Sequence, residues 1–459
     1  MITSALTSSS RRSFLKAGAT VAAGSLLPNF SIGRSGPSAL SRLNVAFIGA
    51  GGVIDQAIDG CRGENYVAFC DVDDDRAAPT YAMFPDARRF RDYRDMLERL
   101  EYQIDAVVIS TPDHHHFAAA YLAMAMGKPV FVQKPLTHDI WQARTLKKAA
   151  HYYDVITQMG NQGHTTEGIR LVKEWYDADT IGHVTEVHAW FDGPNFGGPF
   201  FHMPETFPPR ETPVPKALDY DVWLGPVSRR NFSPEYHPLT WRGWWDFGCG
   251  ELGDWACHTL DAPFWALELG MPERVSVIEE DFVNEVYCPR SSHLVFEFPA
   301  RGEKPSVKLH WYDGGMKPSA ENIPEWPEGE EVPNQGMVMI GEKHTLMTGA
   351  RPNSPRLINP ELWTEFRQNP PEKTIPRVRG GPFQEWIRAI KGDGPLPGSN
   401  FDYAADLTEM SLVGVLAQRT NRTVEYDAAT MEIINHDDMG DMIRQPARAG
   451  WDFGKEVWR

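Results

Sequence analysis

The sequence predicts an α/β protein that opens with a doubly wound, Rossmann-type domain on a parallel sheet. Three observations lead there. Short apolar runs alternate with helical patterns at about 20–30 residue spacing through the first 160 residues, the signature of βαβ units. The first run, Leu43-Asn44-Val45-Ala46-Phe47-Ile48, ends in Gly49-Ala50-Gly51-Gly52 and a helix-like stretch to Gly60. The second, Tyr66-Val67-Ala68-Phe69-Cys70, ends in Asp71, 22 residues after Gly49.

Each element follows from that frame. A strand, a glycine turn and a helix start bring backbone N–H groups and a positive helix end to one point, which suits a pyrophosphate. The third glycine of G-x-G-x-x-G falls on Ile54, so the fingerprint is incomplete and weak by itself. An acid at Asp71 accepts hydrogen bonds from ribose hydroxyls and repels a 2′-phosphate, which favours NAD over NADP. A plain strand-end turn before an acidic helix start explains Asp73, Asp74 and Asp75 as well. Asp105-Ala106-Val107-Val108-Ile109-Ser110 is the next strand, followed by Thr111-Pro112-Asp113-His114-His115-His116 and an Ala/Met-rich helix to Gly127. Pro129-Val130-Phe131-Val132 runs into Gln133-Lys134-Pro135; a helix over about 139–151 and a strand over 155–159 close the unit. Ligands of such sheets sit beyond the carboxyl ends of the strands, where Gly49, Asp71, Thr111, Lys134 and Asn161 all fall.

Composition narrows the function. The chain has 459 residues, 42% hydrophobic and 23% charged, within the globular norm. Its net charge of −17 argues against nucleic acid or an anionic membrane as partner. Five scattered cysteines with no C-x-x-C pair give neither a disulfide scaffold nor a structural zinc site. Ser10-Arg11-Arg12-Ser13-Phe14-Leu15-Lys16, followed by a mild apolar run from Ala17 to Leu27, has the pattern of a twin-arginine (Tat) export signal. The run is too short to span a bilayer. It predicts passage through the Tat translocon to the periplasm or another extracytoplasmic space, with residues 1–35 as the leader. The remaining divisions are 43–162 for the dinucleotide domain, 163–435 for a second domain and 436–459 for a tail.

The second half holds its own candidates. In Asp254-Trp255-Ala256-Cys257-His258, Asp and His stand at i and i+4 on one helix face, with Asp261 near the same face. His258 suits a general base, with Asp254 holding substrate or orienting the base. Three adjacent histidines at 114–116 cannot all face one ion in regular geometry, so no metal is expected. Trp241, Trp244, Trp245 and Trp255, with Arg242, suit stacking on a sugar ring, although core packing accounts for at least half of them.

Taken in order, "CDVD", "STPDHHH", "VFVQKPL" and "MGNQGH", then "DYDVWLGP", "WRGWWDFGCGELGDWACHTLDAPFWAL", "GEKHTL" and "SNFDYAADLTEMSLVGVLA", resemble the Gfo/Idh/MocA oxidoreductases over about residues 43–435, in their Tat-exported branch. The resemblance implies a C-terminal α/β domain with a large, mostly antiparallel open sheet whose outer face often makes dimers or tetramers. It implies hydride transfer between a tightly bound NAD and a carbohydrate or polyol hydroxyl. Lys134 matches the lysine of the E-K-P motif beside nicotinamide, with Gln133 in place of the usual Glu. Asp254 and His258 match the family's D-x-G-x-H pattern in the substrate site, with Ala256 for Gly, and His116 falls near nicotinamide. The resulting catalytic set is Lys134, His258 and Asp254. The cofactor set is Gly49, Gly51, Gly52, Asp71, Thr111, Pro112, His116, Lys134 and Asn161. Two alternatives stay open: an NAD-dependent glycoside hydrolase or lyase working by oxidation and elimination, and a non-catalytic sugar-binding relative. The Pro-rich stretches 194–238 and 317–335 read as cleft walls, oligomer contacts or plain insertions.

Overall fold

Short strands three to six residues long, most of them apolar, make the first sheet. Its strands are Asn44–Ile48 (β1), Asn65–Cys70 (β2), Arg88–Phe90 (β3), Ala106–Ile109 (β4), Val130–Val132 (β5) and Thr157–Met159 (β6). All pair in parallel in the order β3-β2-β1-β4-β5-β6, so the chain reverses direction across the sheet between β1 and β4. Parallel strands are covered on both faces, which is why β4 and β5 are buried throughout. The computed structural model describes residues 41–196 and 198–459; the leader expected over residues 1–35 lies outside them.

One face of this sheet is completed from far along the chain. Helix Gly381–Ile390 packs beside helix Ile54–Gly60, with Phe383 stacked on Phe131 of β5 at 3.9 Å between ring centres. A Cβ on Gly60 would stand 2.3 Å from the Phe383 ring, so only glycine lets the two helices approach. Ile54, at the missing third glycine, is buried in this same cluster. The last residues bind the other face: Trp451 meets Tyr93 and lies under Arg94, Trp458 stacks on Trp141, and the Gln445 N–H donates to Asp139 Oδ2 at 3.1 Å.

The second sheet has nine strands: Val184–Trp190 (β7), Arg274–Asp281 (β8), Ser291–Phe298 (β9), Val307–Asp313 (β10), Gly336–Gly341 (β11), Thr345–Thr348 (β12), Arg356–Leu357 (β13), Val424–Asp427 (β14) and Glu432–Ile433 (β15). Their order is β13-β12-β11-β7-β10-β9-β8-β14-β15, and only β7 and β10 pair in parallel, which gives the mixed, mostly antiparallel sheet that was expected. Period-2 alternation turns Val187, Leu309, Leu294 and Phe296 inward. The 20-residue helix Phe401–Thr420 packs there, and Gly414 sits so close that a Cβ would lie 2.3 Å from Phe296. On the outer face, Trp190, Tyr312, Val338 and Met347 are covered by Ile323 and Val332 of the 317–335 stretch. That stretch is a lid on the sheet, not a wall of the cleft. Among the described residues no helix is long and apolar enough to cross a membrane, and all five cysteines are free and buried.

Candidate active site

The strand ends of the first sheet and the helix Gly250–Thr259 enclose a cavity of about 980 Å³. That volume is at the upper end of ordinary ligand sites. Its first wall is the glycine turn. Gly49 has φ +92°, and a Cβ there would stand 2.4 Å from the Ser110 carbonyl oxygen; a Cβ on Gly51 would stand 2.8 Å from Arg76 Cβ. Beyond Gly52 there is open space. Ile54 does not line the cavity, so the incomplete fingerprint leaves the turn unblocked.

Asp71 lines the cavity and also braces this turn. Its Oδ2 accepts from the backbone N–H of Ala50 (2.7 Å) and Gly51 (2.8 Å), and its Oδ1 from Asp73 N–H (2.9 Å). Burial raises its pKa, and the three N–H donors oppose the rise. Thr111 and Pro112 continue the wall, and the hydroxyls of Ser110 and Thr111 are buried there without partners. A cradle that side chains would fill, beside unpaired buried hydroxyls, fits a dinucleotide phosphate and ribose.

Lys134 reaches from the end of β5 to the facing wall. Its Nζ donates to Asp254 Oδ1 at 2.7 Å and to the Asp254 carbonyl at 2.8 Å. Asp254 thus supplies the carboxylate that pairs with the Lys134 ammonium, from across the cavity. Burial pushes the Asp254 carboxyl up, but the charges of Lys134 and Arg242 outweigh it and hold it low. One helical turn on, His258 is fully buried with neither ring nitrogen paired. Burial, then the charges of Lys134 and Arg351, push its pKa well down, so it is a neutral imidazole at pH 7. Lys134, Asp254 and His258 thus line one cavity. A neutral imidazole with uncommitted nitrogens beside an ammonium is equipped to take and relay a proton.

Two residues of the cofactor set do not line the cavity. His116 is 1% exposed and lies between the carbonyl oxygens of Pro135 (2.7 Å from Nδ1) and Thr111 (2.9 Å from Nε2). It ties the 111 and 135 segments together from behind, and burial lowers its pKa to about 4. Asn161 is fully buried and donates to Asp261 Oδ2 at 3.0 Å. The helix breaks at Leu260, which turns Asp261 away from Asp254 and into a polar knot with His164 and Tyr403. His114 and His115 share the Trp223 carbonyl and act as struts. Of the tryptophans, Trp241 and Trp255 line the cavity, whereas Trp244 and Trp245 are core.

The cavity also holds groups that sequence reasoning did not single out. Asp113, at the start of the helix Asp113–Ala125, accepts from the Cys249 N–H at 3.2 Å. Burial, and then the charge of Asp254, raise its pKa to about 7. Glu251 is buried and pushed well up by the same two causes. Its position was readable: 251, 254 and 258 follow i, i+3, i+7 on one helix face. Arg351 lies 4.7 Å over the Trp255 ring, which itself stacks on Phe191 at 3.5 Å; nothing local in the sequence marks it. Residues 191–196 and 198–201 and His237 to Leu239 line the cavity, so parts of the first Pro-rich stretch are a cleft wall.

Residues 43–161 match the oxidoreductase family with an NAD-binding Rossmann fold, Gfo/Idh/MocA, and residues 201–281 match that family's C-terminal α/β domain. These two matches make residues 43–161 and 201–281 similar to the two domains of the Gfo/Idh/MocA oxidoreductases. Similar curated proteins include an inositol 2-dehydrogenase of Serratia proteamaculans, 28% identical over 161 residues (34% of this chain, 47% of the relative). A UDP-N-acetylglucosamine 3-dehydrogenase of Acidithiobacillus ferrooxidans is 29% identical over 129 residues (28% of this chain, 33% of the relative). The match thus spans half or less of these curated relatives. The likeness in fold extends further: the WlbA dehydrogenase of Bordetella pertussis, solved with NADH and UDP-GlcNAcA, superposes with TM-score 0.57 at 16% identity (84% of this chain, 99% of that one). GenD2 from gentamicin A biosynthesis, solved with NAD, gives 0.56 at 17% (88% and 100%).

Proposed function

We propose that this protein is an NAD-dependent oxidoreductase that moves hydride between a carbohydrate or polyol hydroxyl and a tightly held nicotinamide cofactor. One observation carries the reading: the glycine turn, the Lys134–Asp254 pair and the unpaired His258 line a single cavity. Gly49, Gly51, Gly52, Asp71, Thr111 and Pro112 would hold the dinucleotide, which supplies the hydride acceptor. Lys134, an ammonium oriented by Asp254, donates a hydrogen bond to the oxygen of the reacting hydroxyl, and the neutral His258 receives the hydroxyl proton. Phe191, Trp241 and Trp255 pack on the ring and exclude water. The named activities of the inositol and UDP-sugar relatives support a substrate of this class. The twin-arginine leader supports export through the Tat translocon with the cofactor already bound, into a periplasmic or other extracytoplasmic space. The family resemblance supports a homo-oligomer.

Burial keeps Glu251 protonated in the same cavity. That favours a second reading, oxidation followed by elimination, because a neutral carboxylic acid can protonate a departing glycosidic oxygen. One experiment separates the readings: mass spectrometry of nucleotide released from denatured, exported protein, then a sugar and polyol panel. Bound NAD and net NADH formation without cleavage support hydride transfer. Release of an aglycone without net NADH supports the second reading. Absence of any nucleotide, with no binding on addition, overturns both.

A further inference from the structure

Strands β7 and β10 run parallel and in register, and the register sets His188 opposite His310. Glu186, two residues before His188, shares its face. None of the three lines the cavity. Glu186 Oε1 is 3.0 Å from His188 Nε2 and 3.5 Å from His310 Nε2. One ligand atom from each residue lies within 4.8 Å of the others, the sole such grouping of three His, Cys, Asp or Glu among the described residues.

The far side of each ring is already held. His188 Nδ1 is 3.0 Å from the Tyr312 hydroxyl, and His310 Nδ1 is 3.0 Å from His293 Nε2. In the tautomer that carries Nδ1–H on both rings, which these two contacts allow, both Nε2 lone pairs face the Glu186 carboxylate. His188 is 98% buried, and its Nε2 has no hydrogen-bond partner although the carboxylate oxygen is at ion-pair distance. The oxygen therefore sits beside the nitrogen's axis and not along it. In that tautomer two lone pairs and a carboxylate converge on one point, the donor set that a cation takes.

We propose that Glu186, His188 and His310 bind a divalent transition-metal ion of the zinc type on the outer face of the second sheet. Zinc bonds of about 2.0–2.1 Å in tetrahedral geometry put ligand atoms about 3.3 Å apart, and the two carboxylate-to-imidazole distances bracket that value. Tyr312 and His293 supply the outer contacts that fix ring orientation in such sites. Two imidazoles and one carboxylate match the borderline-soft preference of zinc and its neighbours over calcium or magnesium. Three protein ligands leave the fourth position to water, on the side where Glu186 is 43% and His310 18% exposed.

The test uses the full chain, stripped with chelator and titrated calorimetrically with Zn²⁺, then with Co²⁺ to read the coordination from its visible absorption. The expected result is one equivalent bound and a Co²⁺ spectrum of a low-coordinate N/O site. Glu186→Gln and His310→Ala, both at partly exposed positions, should each weaken Zn²⁺ binding at least about 100-fold, above the usual cost of losing an outer contact. Circular dichroism checks their folding, and the isosteric Glu186→Gln stands alone if His310→Ala fails. No stoichiometric uptake by the folded parent, or unchanged uptake by the variants, overturns the site.

Discussion

Where the cavity is walled by the first sheet, its contacts come from backbone groups and short side chains at strand ends: Gly49, Gly51, Ser110, Thr111. Where it is walled by the second domain, they come from long charged and aromatic side chains drawn from Phe191 to Arg351. A wall of backbone is sensitive to φ and to the volume of a single Cβ. A wall of side chains is sensitive to charge and protonation. Lys134 belongs to the first wall by chain position and to the second by its bond to Asp254. Substitutions should therefore separate cofactor retention from chemistry, and Lys134 is where the two meet.

The largest effect is expected at that meeting point. Lys134→Ala should lower kcat/KM by about 10³-fold, within the range for a lost donor to a developing oxyanion, while bound NAD measured by mass spectrometry falls far less. His258→Gln should lower kcat/KM about 100-fold. Its melting temperature should barely move, since neither ring nitrogen has a hydrogen bond to lose. Gly49→Ala should do the reverse: a strained φ and a blocked contact with Ser110 cost about 1–3 kcal/mol, read as a lower melting temperature and weakened NAD binding.

Asp113→Asn sharpens the comparison through pH. Asp113 is raised from 3.8 to about 7 in the folded protein. The unfolded chain therefore loses this proton first, and the group's contribution to stability falls as pH climbs from about 4 to about 7, then stays flat. The melting temperature of Asp113→Asn relative to the parent should rise over that window and level off above it. A constant difference across pH would show that Asp113 ionises normally. Arg351→Ala is the mildest: loss of a partly exposed cation–π contact of about 1 kcal/mol should raise KM about fivefold with kcat little changed.

What the residues disclose in advance follows the same division. Buried parallel strands are unbroken apolar runs, so β1, β2, β4 and β5 are readable from the chain. Edge strand β3, Arg-Arg-Phe, and β8, whose outer positions are charged, carry no such run. The glycine turn, Asp71, Lys134, Asp254 and His258 are legible because local spacing puts them at strand ends or on one helix face. Asn161 follows a strand end and His116 lies in the first turn of the helix Asp113–Ala125, but both turn into the interior, a choice made by carbonyls at Thr111 and Pro135 and by Asp261. Arg351 joins the site through tertiary packing alone. Glu186, His188 and His310 belong to two strands more than 100 residues apart, and only the parallel register of β7 with β10 brings them together.

The most direct test is a crystal structure of the full chain with NAD and a polyol inhibitor. The account predicts the pyrophosphate at Gly49–Gly52 and the nicotinamide C4 within about 4 Å of the substrate carbon, with Lys134 and His258 both reaching that carbon's hydroxyl. A nicotinamide lodged elsewhere, or a hydroxyl touching neither side chain, would contradict it.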